Sequence, residues 1–116
     1  MMDSKRISPA LRAVLTNPGN RRYLSTVSVW EMVVKWQIGK LKLPKPPPEF
    51  VAEIKARGRF RALPLEDAAT LQLSKLPNLH SDPFDRMLIC QAIEGGMTLV
   101  TSDENIQQYP IKTLWL

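Results

Sequence analysis

Apolar positions in this chain recur at helical spacing in some stretches and bunch into short β-rich runs in others. Ser8-Pro9 opens a helix in N-cap and N1 style, with Ala10, Leu11, Val14 and Leu15 as its stripe. Asn17-Pro18-Gly19-Asn20 breaks it. Arg22 to Val27 predicts a short strand, and Ser28 to Trp36 a helix ending near Gly39. Lys40 to Pro48 is a loop, because Pro44, Pro46, Pro47 and Pro48 interrupt regular structure. Glu49 to Arg57 returns to helical period, with Gly58 at the position just past its end. Phe60 to Leu65 predicts a strand. Leu65-Glu66-Asp67 leads into a helix through Leu71 and Leu73, stopped before Pro77. After a loop over Leu76 to Ser81, Pro83 to Glu94 is the strongest helical pattern, closed by Gly95-Gly96. Met97 to Thr101 reads as a buried strand, Glu104 to Tyr109 as a short helix or turn, and Thr113 to Leu116 as a final strand.

Strands separated by helices predict an α/β fold with a parallel sheet. At 116 residues the chain fits one domain. Apolar residues make up 44%, enough for a core, and the charged 23% are too few and too mixed in sign for a wholly disordered protein. The net charge of +5 favours polyanionic partners such as RNA, or an acidic protein segment. Cys90 is the sole cysteine, which excludes an internal disulfide and fits a reducing cytoplasm. No run approaches the roughly 20 apolar residues of a membrane span, and Met1 to Arg12 has no signal-peptide stretch.

In open α/β sheets ligands gather beyond the carboxyl ends of the strands. Glu31 follows the first predicted strand, Asp103 follows the strand ending near Thr101, and Asp85 lies in the first turn of the strongest helix. Each acid alone also has a structural explanation. Ser28-Val29-Trp30-Glu31 matches a capping box, with Glu31 at N3. In Asp82-Pro83-Phe84-Asp85, Asp82 reads as the N-cap. Asp103 or Thr101 equally starts a turn. Several carboxylates converging on one cleft repel one another unless a cation sits among them. An all-oxygen set suits Mg²⁺ or Mn²⁺. His80 and Cys90 are the only residues of their types, which argues against zinc and against a histidine-based triad. There is no Walker lysine loop and no GxGxxG pattern. Trp30 and Trp36, six apart on one predicted helix, read as core or partner contacts rather than base-stacking platforms.

Two stretches carry a resemblance. STVSVWEMVVKWQIGKLKL (25–43) and DPFDRMLICQAIEGGMTLVTSD (82–103) are similar to PIN-domain toxins of the VapC type, and the likeness runs from about Ile7 to Trp115. It implies a PIN-like parallel sheet with flanking helices and a Mg²⁺- or Mn²⁺-dependent endoribonuclease neutralised by an antitoxin. Glu31, Asp85 and Asp103 match the family's metal-binding acids. Asp82 lies beside them, and Thr101 or Ser102 is placed to hydrogen-bond a metal-bound water. Lys35, Lys40, Lys42, Lys45 and Arg86 are candidates for the RNA backbone, although such charges are commonly a solvated face. Family members open with a short apolar strand ending in aspartate, central in the sheet, and nothing ahead of Ile7 matches it; Asp3 is no substitute. A chain without that strand and ligand is expected to be weak or inactive, with unpaired strand edges that favour a homodimer. The alternatives are a non-catalytic PIN-like module that binds an antitoxin or other chain, and an unrelated α/β binding domain whose acids are caps.

Overall fold

A computed structural model describes residues 19–78, 82–101, 109, 111 and 113–115. The helix expected from Ser8, and all of the expected Glu104–Tyr109 turn except Tyr109, lie outside them. The chain divides into two compact units, one spanning residues 21–65 and one that takes in the chain from Glu66 onward.

In the 21–65 unit, strand β1 (Tyr23–Ser25) runs directly into helix α1 (Thr26–Gln37). Ser25 is the N-cap, with extended backbone angles and a hydroxyl that accepts from the Val27 N–H at 3.0 Å. The helix therefore starts ahead of the expected Ser28. Thr26 and Val27 are β-branched and favour a strand locally, but Val27 becomes nearly fully buried as a helical residue, and packing overrides propensity.

Helix α2 (Pro47–Gly58) also starts earlier than its sequence suggests. Pro47 and Pro48 occupy its first turn, where a missing N–H costs no hydrogen bond. Its far end holds a second surprise. The left-handed cap residue is Arg59, at φ 54°, and Gly58 is the last helical residue. A Cβ on Gly58 would come within 2.3 Å of the Phe60 ring, so the glycine there makes room for an aromatic rather than for a turn. Strand β2 (Arg61–Leu63) then pairs parallel with β1, with Tyr23 opposite Arg61 and Ser25 opposite Leu63. Val27, Pro47, Phe50 and Val51 are the buried apolar residues of this unit.

The unit beginning at Glu66 contains helix α3 (Asp67–Gln72), a 3₁₀ turn (Leu73–Lys75), helix α4 (Pro83–Gly95) and strands β3 (Leu99–Thr101) and β4 (Thr113–Trp115). Helix α4 follows its sequence signals closely. The Asp82 carboxylate accepts from the N–H groups of Phe84 at 2.8 Å and Asp85 at 3.2 Å. Pro83 occupies the first turn, and Gly96 adopts the left-handed cap at φ 61°. Helix α3 packs on α4. Between them Ala69, Leu76, Ile89, Cys90 and Tyr109 form a buried cluster, lined by Leu73, Met87, Ile93, Leu99 and Ile111. Burial pushes the Cys90 thiol pKa up, partly offset by the nearby Arg86 charge. Strand β3 is less enclosed than its apolar run suggests, since Val100 is 40% exposed while Leu99 packs on the core.

β3 pairs parallel with β4, with Leu99 opposite Thr113. The parallel pairing expected from strand–helix alternation is thus present. Among the described residues it forms two two-stranded ladders rather than one continuous sheet. No described helix is long and apolar enough to cross a membrane.

Candidate metal centre

The first expected ligand, Glu31, lies on α1. With Ser25 as N-cap it is the sixth helical residue, and the first turn of α1 contains no acid. The capping-box explanation of Glu31 is therefore incorrect. The side chain is 19% exposed, and its Oε2 lies 2.8 Å from Lys35 Nζ, one helical turn further on. Such a pairing gives modest stability in a partly solvated setting.

The second, Asp85, is half-buried in the first turn of α4. Asp82 performs the capping there, as expected, and the side chain of Asp85 is not the cap acceptor. The aligned peptide dipoles of that end favour negative charge, although Asp82 already takes the N–H groups of Phe84 and Asp85. The next residue, Arg86, is also half-buried, and its Nε is buried without a hydrogen-bond partner among the described residues. An orphaned guanidinium donor of this kind suits an anionic oxygen and costs stability while unmatched.

Thr101 ends strand β3, and Ser102 and Asp103 lie outside the described residues. Among the described residues no three His, Cys, Asp or Glu side chains come together as a metal site. The donor chemistry of Glu31, Asp85 and Asp103 is entirely carboxylate oxygen, which fits a hard divalent cation.

The basic candidates separate into types. Lys40 and Lys42 are exposed. Lys35 is held by Glu31. Lys45 is bonded to Glu53 at 2.8 Å, and the same carboxylate takes Arg57 at 2.9 Å. That hydrogen bond and the two positive charges hold the Glu53 pKa below the ordinary carboxylate range. Trp30 and Trp36, 56% and 40% exposed, are not core residues. Sequence reasoning passed over one basic set, the alternation Lys55, Arg57, Arg59, Arg61, whose signal was the absence of any acid between Ile54 and Leu65.

The PIN domain family profile matches residues 3–112. The chain belongs to the PIN domain family. A solved structure resembles this PIN domain with a TM-score of 0.70 over 92% of this chain and 82% of the other, at 16% identity. It is the crystal structure of VapBC2 from Rickettsia felis bound to a DNA fragment from their promoter. At that identity the likeness speaks for the fold. No curated protein matches the chain in sequence.

Proposed function

We propose that this PIN domain is a Mg²⁺- or Mn²⁺-dependent endoribonuclease of the VapC type, the toxin of a toxin–antitoxin pair acting in the cytoplasm. The observation that carries the reading is that neither of two acids is spent as a helix cap. Ser25 and Asp82 cap α1 and α4, so neither Glu31 nor Asp85 is needed as a cap. Both are half-buried carboxylates in the segments that the family resemblance marks. Family membership and the surplus of positive charge support an anionic substrate.

In this reading Glu31, Asp85 and Asp103 hold the cation through carboxylate oxygens, with Asp82, Thr101 and Ser102 as accessory groups. Such a cation, when bound, would supply Lewis acidity and charge neutralisation at the phosphate. Asp82 keeps the first turn of α4 formed, which fixes where the Asp85 side chain leaves the helix. Lys40 and Lys42 provide exposed charge for the RNA backbone, and the half-buried Arg86 provides a directed donor.

The test is RNA cleavage with Mg²⁺ or Mn²⁺, comparing the chain with Glu31→Gln and Asp85→Asn. Loss of cleavage with preserved melting temperature is expected, and undiminished cleavage in both variants would refute the ligand assignment.

A second reading rests on a different observation. Trp30, Trp36 and Ile38, at the surface of α1 and its cap, expose large apolar side chains that suit a protein partner, an antitoxin or a second copy. A purely non-catalytic module would show no rise in melting temperature on Mn²⁺ titration, whereas a metal-binding enzyme would show one.

A further inference from the structure

The 21–65 unit carries a positive surface that the metal-centre reading does not use. Arg21 and Arg22 precede β1, and Arg59 and Arg61 stand at the start of β2. Because the strands are parallel, both starts lie at one end of the ladder, and the Arg61 N–H donates to the Arg22 carbonyl at 2.9 Å. This is the amino end, opposite the junction through which β1 leads into α1 and Glu31. No acid occurs between Gly19 and Trp30 or between Ile54 and Leu65, so neither paired segment carries a neutralising charge. Arg21, Arg59 and Arg61 are exposed and have no ion-pair partner among the described residues.

Two features show that the surface is built. The Arg22 guanidinium stands 5.9 Å from the Phe60 ring centroid, an orientation that holds the side chain over the aromatic. The Phe60 ring in turn lies against Gly58, where a Cβ would collide with it. Arg59 adopts a left-handed backbone that glycine would take without strain. Strained non-glycine residues cluster at functional sites, and here the side chain is an exposed cation two residues ahead of the exposed Arg61.

We infer that Arg21, Arg22, Arg59 and Arg61 form a docking surface for the phosphate backbone of single-stranded RNA, at the end of the ladder opposite the start of α1. The choice of RNA rests on the nuclease reading and on the chemistry of the face. All four cations are arginine, whose planar fork matches phosphate oxygens bidentately. The face lacks the exposed apolar anchors at the centre of protein interfaces, since Phe60 is half-buried against Gly58. Docking at the amino end of the ladder adds phosphate contacts to a bound strand. It acts on affinity without regard to base sequence.

The experiment is fluorescence anisotropy of a labelled single-stranded RNA with the intact chain in EDTA, which prevents cutting, across potassium chloride from about 50 to about 200 mM. The double variant Arg59→Gln/Arg61→Gln is expected to bind roughly tenfold more weakly, with the log–log salt slope reduced by about 1.4, about 0.7 for each lost phosphate contact on a single strand. Arg59→Gly separates binding from folding: it should melt a few degrees higher and yet bind more weakly. An unchanged affinity and slope in both variants overturns the inference. So does displacement of the RNA by poly-glutamate at equal charge, which would mark an acidic protein as the partner. Cleavage by the unaltered chain with Mn²⁺ is measured alongside. Arginine-dependent binding without any cleavage sinks the nuclease reading and leaves the surface, while cleavage with an unaltered salt slope in the variants sinks the surface and leaves the nuclease.

Discussion

The two units of this PIN domain are stabilised in different ways. The unit from Glu66 onward is built around a dry cluster in which Ile89 and Cys90 are completely buried, and the ends of its long helix are closed by Asp82 and Gly96. The 21–65 unit buries Val27, Phe50 and Val51, leaves Trp30, Trp36 and Ile38 exposed, and holds all three ion pairs found among the described residues. Apolar burial stabilises more per residue, and partly exposed ion pairs contribute little. One unit is thus organised for packing and the other for surface chemistry.

The strongest challenge to this contrast is a pair of truncations. Ile89→Ala should destabilise the protein by about 2–5 kcal/mol in urea unfolding, because the enclosed site cannot collapse around the lost methyls. Trp30→Ala, despite its larger side chain, should cost clearly less, since more than half of Trp30 is already in water. Equal costs would erase the distinction. Next in size are the caps. Asp82→Ala and Ser25→Ala should each cost about 0.5–2 kcal/mol. Asp82 should stand at the higher end because its carboxylate accepts from two N–H groups and places negative charge at the positive end of the helix dipole. Thermal melts of the two variants check the order, and a costlier Ser25 would shift the weight toward the 21–65 unit.

The smallest expected effect concerns pH. The Glu53 pKa is lowered in the folded chain by Lys45 and Arg57. A lowered folded-state value means that the carboxylate's contribution is complete above its unfolded value and is lost as pH falls through the folded one. Glu53→Gln should therefore melt slightly lower at neutral pH and converge with the unaltered chain in acid below the carboxylate range. Curves that stay parallel down to low pH would remove this ion pair from the account of the unit.

How much of this was legible in the sequence differs by residue. Helix α4 was, because Asp82, Pro83 and Gly96 each impose a local backbone requirement that tertiary contacts do not oppose. Helix α1 was legible in extent but not in register. Ser28, with Glu31 at N3, is the better cap by local pattern, yet Ser25 takes the role and Val27 is buried, which only the folded chain reveals. The same shift removes the capping explanation for Glu31 and leaves its pairing with Lys35. At α2 the glycine rule misled for a related reason: Gly58 answers a ring packed across it, a contact with no local signature. The two separate ladders among the described residues do not follow from strand–helix alternation, which states parallel pairing but not which strands share a ladder; they accord instead with the unpaired strand edges expected where the family's central strand is not matched.

The contact between Glu31 and Lys35 has one further consequence. On the proposed assignment, a divalent ion reaching Glu31 would not meet bare negative charge; it would exchange with an ammonium group already seated there. The net gain is the difference between two attractions, so the lysine's length and reach help set the concentration at which exchange occurs.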